Sequence, residues 1–290
     1  MLGSNFRKIR LERGLTLQEA AGKAVSVASL SKFENEETSL GVRKLTASLH
    51  NMNTSFLEYA SLCDDSTGNP DSYLFRVVAA YRKPDLTTLK SLVDEQAERY
   101  KLAGSEIDFN DLISAAGLYC DLSGKNLVGP AELQHLENKL SHVQAWGETE
   151  VIVFGNGMTL LNDETVTKLG LDLLAHVDDI HAWNDALYQD AWSALMNVVD
   201  LLLARHSDQV DRLFKAIGDC DLPEAIMIDH FRLRFLKDCY AAQKQPTAAT
   251  VALVQRDIDF LAKVGSKRVH DQYVRSAIRL LGADYPHEEA

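Results

Sequence analysis

Val27, Ala28, Ser29 and Lys32 carry the most explicit chemistry in the chain. They follow a serine suited to capping, Ser26, and share a short run with apolar Leu30 and Phe33. On a helix starting after Ser26, this spacing turns Leu30 and Phe33 to one side and the other four to the opposite side. The outward set, with Ser26 at its edge, suits the edges of DNA bases. Lys32 can donate to guanine O6/N7 or to a phosphate, Ser29 can donate or accept, and Val27 or Ala28 can touch a thymine methyl. Gln18, near the start of the preceding helix, is placed for a phosphate, aided by the backbone N–H groups there. Arg7, Asn35, Arg43 and Lys44 are further phosphate candidates, each equally suited to an ordinary solvated surface.

Presenting that face requires short helices around it. Ser4 is placed to cap a first helix with Phe6, Ile9 and Arg10 on one face, and Gly14 supplies its stop. Thr16 opens a second helix, with Glu19 completing a capping box. Ala20, Ala21 and Ala24 keep its inner side slim, and Val25-Ser26 makes a tight turn. Two short helices joined by a turn of about three to four residues form a helix-turn-helix, whose second helix lies in the major groove. Ser39 precedes a helix bearing Leu45 and Leu49, and Ser55 with Glu58 reads as another capping box, giving five helices.

The net charge of −12 argues at first against nucleic acid. Residues 1–60, however, hold eight Lys/Arg and six Asp/Glu, a balance of +2, leaving 22 basic and 36 acidic residues, −14, for the remainder. DNA contact is therefore expected from the first sixty residues, while the acidic body keeps the protein soluble and discourages DNA from lying on it. The 290 residues, 46% hydrophobic, are ample for a buried core. Cys63, Cys120, Cys220 and Cys239 lie far apart without a C-x-x-C pair and read as buried free thiols rather than zinc ligands. No apolar h-region follows Met1 and no run of about 18 apolar residues occurs, so a cytoplasmic protein with no membrane partner is expected.

Residues 63–71, CDDSTGNPD, have linker chemistry. Domains are expected at 1–63 and 72–290, joined by a linker at 64–71. Beyond it, apolar residues recur at helical spacing, as in Leu195, Val198, Val199, Leu202 and Leu203, then Phe231, Phe235 and Cys239. Residues 151–154 look β-like, yet the offset of Leu160-Leu161 fits a helix. Breaks at Lys83-Pro84, Gly104-Ser105, Gly124, Gly129-Pro130, Gly147, Gly218, Pro223, Pro246 and Gly265-Ser266 divide the segment into helices of about 10 to 22 residues. This is the pattern of stacked antiparallel helix pairs, although no tetratricopeptide consensus is visible. Such arrays curve and offer a concave groove.

The segment FRKIRLERGLTLQEAAGKAVSVASLSKFENEE resembles the Cro/phage-repressor class of helix-turn-helix, through Ile9-Arg10, Gly14-Leu15-Thr16, Val25-Ser26 and the closing S-K-F-E-N. That closing motif, the chain length and WGETEVIVFGN at residues 146–156 resemble the Rgg/GadR/MutR regulators of Gram-positive bacteria. The resemblance implies an all-α chain: a five-helix lambda-repressor-like domain, then an α-solenoid of tetratricopeptide-like kind that dimerises and senses a ligand. It implies an ion pair between Arg10 and Glu34 tying the first helix to the recognition helix. It also implies a homodimer that binds promoter DNA, regulates transcription and answers to a short signalling peptide, as in quorum sensing. Arg82, Asn156, Asn197, Arg232 and Tyr240 are the polar side chains suited to hold a peptide in the repeat.

Other signals carry less. His176, Asp178, Asp179 and His181 have metal-ligand chemistry, but their offsets do not share one helical face, and a connection between helices is expected there. Gly155-Asn156-Gly157 lacks the lysine of a phosphate loop, and no G-x-S-x-G nucleophile motif occurs, so neither cofactor nor catalysis is expected. Trp146, Trp183 and Trp192 read as packing residues. A protein-interaction scaffold or adaptor whose N-terminal module does not bind DNA remains the alternative, with an enzyme carrying an appended DNA-binding domain behind it.

Overall fold

The computed structural model describes residues 2–63, 72–218, 222, 226–282 and 285. The expected linker at 64–71, Cys220 and the break at Pro223 lie outside the described residues. Among the described residues the chain forms sixteen α-helices and no strand. It divides into two compact units, Met1–Arg76 and Val77–Ala290.

The first unit contains α1 (Leu2–Glu12), α2 (Leu17–Ala21), α3 (Val27–Glu34), α4 (Val42–Asn51) and α5 (Phe56–Cys63). Local chemistry sets most of their ends. Gly14, at φ +67°, turns the chain after α1, a backbone conformation that costs a side chain little only when there is none. At α2 the Thr16 side chain accepts from the Glu19 N–H at 3.2 Å, while Glu19 Oε2 accepts from the Thr16 N–H at 2.8 Å. Ser26 caps α3 by accepting from the Ser29 N–H. Phe6, Ile9, Ala20, Leu30, Phe33, Leu49 and Tyr59 gather into the core, where each large apolar side chain contributes roughly 1.5 to 3 kcal/mol. Phe6 meets Phe33 and Tyr59 edge-on.

The second unit begins within α6 (Tyr73–Arg82) and continues through α7 (Leu86–Ala103), α8 (Glu106–Ser123), α9 (Pro130–Ser141), α10 (Glu148–Gly157), α11 (Asp163–His181), α12 (Asp185–Ala204), α13 (Val210–Gly218), α14 (Met227–Lys244), α15 (Ala248–Val264) and α16 (Lys267–Leu281). The chain packs as a stack: α8 lies on α7 and α10, α10 on α12, α12 on α11 and α14, and α15 on α14 and α16. One continuous apolar core runs through it from Phe109 to Tyr285. The central helix, α12, is nearly enclosed, with Leu195, Met196, Val198, Val199 and Leu202 fully buried. Asn197 breaks this pattern as an exposed polar residue.

Several local expectations are corrected. Ser4 does not cap α1; it lies inside the helix, and its N–H donates to Glu36 Oε1 at 2.8 Å, so a side chain distant in sequence satisfies a first-turn donor. At α5 the Glu58 N–H does donate to the Ser55 side chain. The Glu58 carboxylate, however, is engaged by Arg13 at 2.8 Å. His176, Asp178, Asp179 and His181 form the last turns of α11 rather than a connection, because Val177 and Ile180 between them are buried in the core. His181 there stacks on Tyr188. Trp146 and Trp192 are buried, but Trp183 is 63% exposed in the turn between α11 and α12. Cys239 is buried, whereas Cys63 and Cys120 are only half-buried.

Candidate nucleic-acid interface and a polar cluster in the helical repeat

In the first unit, α3 is fixed from behind. Leu30, Phe33 and Glu34 are buried, and Val27, Ala28, Ser29 and Lys32 are exposed. A buried ion pair supports the inner side: Arg10 Nε donates to Glu34 Oε1 at 2.6 Å and Arg10 Nη2 to Glu34 Oε2 at 2.7 Å. The remaining guanidinium nitrogen, Nη1, donates to the Leu15 carbonyl at 2.8 Å. One side chain thereby joins α1, the turn before α2, and the C-terminal end of α3. Hydrogen bonding by Glu34 raises the Arg10 guanidinium further above its ordinary value against the opposing effect of burial. Gly3 brings α1 against α3 so closely that a Cβ there would sit 1.8 Å from the Phe33 carbonyl oxygen.

The other surface candidates fall around this face in different conditions. Gln18 is exposed in the first turn of α2, and Arg43 and Lys44 are exposed in the first turn of α4. Arg7 and Asn35 are exposed but contact one another, Arg7 Nη1 donating to Asn35 Oδ1 at 3.4 Å. Ser26 and Ser29 share a hydrogen bond of 2.8 Å between their hydroxyls in the cap. Ser29 therefore has less freedom toward a base than its exposure suggests. Lys32 extends into solvent, a long cationic side chain on the outer face of a rigidly buttressed helix.

In the second unit, Asn197 and Arg232 are brought together, with Arg232 Nη2 donating to Asn197 Oδ1 at 2.7 Å. The same Arg232 nitrogen lies 3.7 Å from Asp200 Oδ2. Asp200 also accepts from Arg279 Nη2 at 2.5 Å, and Arg279 Nη1 reaches Asp121 Oδ1 at 3.4 Å. Asp121 Oδ2 in turn accepts from the Tyr81 hydroxyl at 2.6 Å. Tyr240 belongs elsewhere: its hydroxyl donates to Asp211 at 2.8 Å, and Lys244 sits over its ring. Arg82 is exposed at the end of α6, and half-buried Asn156 lies where α10 crosses α8. Neither of these two joins the Asn197–Arg232 pair among the described residues.

Sequence reasoning missed Tyr81, Asp121, Asp200 and Arg279. Asp200 follows Asn197 by three residues and shares its helical face, a signal that was present. Directly bonded partners in this cluster lie up to 158 residues apart, and nothing local joins them. Among the described residues no group of three or more His, Cys, Asp or Glu is placed to hold a metal ion. No helix there is long and apolar enough to cross a membrane.

Residues 6–58 match the family described as Helix-turn-helix. Among solved structures, the SHP pheromone receptor Rgg2 of Streptococcus dysgalactiae is similar with a TM-score of 0.68 at 17% identity, over 96% of this chain and 98% of that one. A protein from Listeria monocytogenes EGD-e matches with a TM-score of 0.70 at 16% identity, over 96% and 97% of the two chains. The PrgX/cCF10 complex matches with a TM-score of 0.61 at 12% identity, over 96% and 99%. At such identities the likeness is one of fold. Residues 90–275, more than half of the chain, match the family described as HTH-type transcriptional regulator Rgg, C-terminal domain. With a buttressed helix-turn-helix ahead of that matching helical repeat, the chain belongs to the Rgg family of transcriptional regulators.

Proposed function

We propose that the chain works as a homodimer that reads promoter DNA with α3 and responds to a short peptide held by its helical repeat. The observation that carries the reading is the two-sided character of α3: buried Leu30, Phe33 and Glu34 against exposed Val27, Ala28, Ser29 and Lys32. A helix held this firmly along one side offers its other side in a fixed register, as direct base contact requires. Gln18, Arg43 and Lys44 are the phosphate contacts in this reading, while Arg7 and Asn35 must exchange their mutual bond for phosphate. Two such domains in a dimer would read half-sites about 34 Å apart or a multiple of it. The place of action is the cytoplasm, where such a regulator meets its operator.

Peptide sensing is supported by the fold and by the polar cluster. Rgg2 of Streptococcus dysgalactiae is a SHP pheromone receptor, and another solved structure of this fold is a bacterial peptide pheromone/receptor complex. Asn197 and Arg232 supply an amide and a guanidinium, the groups that hold a peptide backbone and a carboxylate. Arg82, Asn156 and Tyr240 stay outside this pair and are secondary candidates. Binding must favour one arrangement of the DNA-binding units over another, since a ligand indifferent to the two would switch nothing.

Fluorescence anisotropy with duplexes from the DNA upstream of neighbouring genes tests the first half. Lys32→Ala is expected to weaken the preferred duplex by about 5- to 150-fold, the range of a lost base contact at ~1 to 3 kcal/mol, with less effect on unrelated duplexes. A protein that ignores every duplex at low salt would instead be a scaffold. Calorimetry with short apolar peptides tests the second half: Asn197→Ala and Arg232→Ala should each lower affinity about tenfold or more, from the loss of charge-assisted bonds. Unchanged affinity in both removes those two residues from the ligand site.

A further inference from the structure

The polar chain from Asn197 to Tyr81 does more than satisfy its own members. It ends on α6, the helix that begins in the first compact unit and finishes in the second. α6 has a thin apolar hold: Val77 and Ala80 are its buried residues, and Leu74 and Phe75 are exposed. A helix with so little buried surface depends strongly on its polar contacts, among them the Tyr81 hydroxyl, which donates to Asp121 at 2.6 Å. Burial, then the charge of Asp121, keeps the Tyr81 phenol well above its ordinary range, so it remains a donor.

The links alternate between short and long. Arg232 to Asn197 is 2.7 Å, Arg279 to Asp200 is 2.5 Å and Tyr81 to Asp121 is 2.6 Å. Between them, Arg232 stands 3.7 Å from Asp200 and Arg279 stands 3.4 Å from Asp121. Two cations share one oxygen of Asp200, while its other oxygen, Oδ1, is buried with no hydrogen-bond partner. A change in either cation therefore alters the carboxylate's hold on the other. The two long joints are where adjustment costs least.

We infer that Tyr81, Asp121, Arg279 and Asp200 form a relay that couples the state of Arg232 and Asn197 to the anchoring of α6, the helix through which the chain passes from the first unit into the second. This rests on the reading that a ligand engages Arg232 and Asn197. A ligand carboxylate drawing Arg232 toward itself leaves Asp200 to Arg279 alone. Arg279 then moves along its loose joint away from Asp121, and the Tyr81 anchor changes with it. No residue of the relay needs to touch the ligand.

Hydrogen–deuterium exchange of the full chain without ligand tests the coupling directly. Tyr81→Phe, which removes only the hydroxyl, should speed exchange across α6 by about tenfold, the effect of one charge-assisted bond. Arg279→Lys keeps the charge but cannot span two carboxylates, and Asp200→Asn acts three links away; both should speed exchange of α6 similarly. Should Asp200→Asn fail to fold, as read by tryptophan fluorescence, Arg279→Lys carries the same test. Faster exchange in Tyr81→Phe alone would reduce the arrangement to a local clamp and overturn the relay, as would no change in any variant. Because the measurement uses no peptide, its outcome is separable from the ligand site. Lost peptide affinity in Asn197→Ala with an unresponsive α6 would leave that site standing without the relay, and a responsive α6 with no peptide heat would do the reverse.

Discussion

Glu34→Ala is expected to unfold the N-terminal unit and abolish DNA binding while leaving the helical repeat intact. The carboxylate takes two bonds from Arg10, at 2.6 and 2.7 Å, in a place where the two side chains are 9% and 4% exposed. Its removal strands a guanidinium that cannot shed its charge and has only the Leu15 carbonyl left. Losing one partner of a buried pair costs about 3 to 5 kcal/mol, comparable to the entire stability of a domain this small. The cost falls on the wrong side of α3 for any effect on base contacts to be needed. The three tryptophans, Trp146, Trp183 and Trp192, all lie in the second unit. Thermal melting by tryptophan fluorescence should therefore match the unaltered protein, while helical circular dichroism is already reduced at low temperature. Replacing both partners, as Arg10→Met with Glu34→Leu, should restore much of the helix, because an apolar pair leaves no charge stranded. A single Glu34→Ala variant of normal helicity and melting that still fails to bind DNA would give Glu34 a role other than the one its burial assigns.

The contrast between Arg10–Glu34 and the relay explains what the sequence could disclose. Thr16 with Glu19 and Ser26 with Ser29 act within one helical turn, so residue type and spacing alone position α2 and the outer face of α3. Breaks marked by glycine or proline were legible for the same reason, as at Gly104, Gly124 and Gly265, which are all left-handed caps. Breaks made without them were not. Asn162 caps α11 through its side chain, and His206 turns the chain after α12 at φ +51°. The ends of α11 illustrate the limit: two histidines and two aspartates look like loop chemistry until the burial of Val177 and Ile180 shows that the helix continues beneath them. Ser4 and Glu36, Tyr81 and Asp121, and Arg279 with both Asp121 and Asp200 form only after the chain has folded. Periodicity could indicate that helices stack, but not which polar residues would meet.

Gly117→Ala should be the most damaging small change in the helical repeat, lowering the melting temperature by about 10 °C for a cost of ~3 kcal/mol or more. At the crossing of α8 and α10 a Cβ on Gly117 would lie 2.0 Å from the carbonyl oxygen of Asn156 and 2.9 Å from the Cα of Gly157. Both are backbone atoms of α10, so no rotamer change can clear them and the helices must separate. Separation would also strain the Thr159 hydroxyl, which donates to the Gly117 carbonyl at 2.8 Å, and the Arg205 guanidinium, which holds the carbonyls of Thr159 and Leu161. Gly104→Ala is the matching control. Gly104 has φ +61° and no neighbour within 4 Å of a built Cβ. That substitution therefore adds only the penalty of a left-handed residue, roughly 1 to 2 kcal/mol. Trp146 packs against Phe154 of α10 with ring centroids 5.6 Å apart, so Gly117→Ala should also shift tryptophan emission in the folded state, which Gly104→Ala should not. Equal destabilisation by the two substitutions would mean that α8 and α10 can part at little cost. The close crossing that positions Asn156 would then be a consequence of the surrounding core rather than a constraint set by glycine.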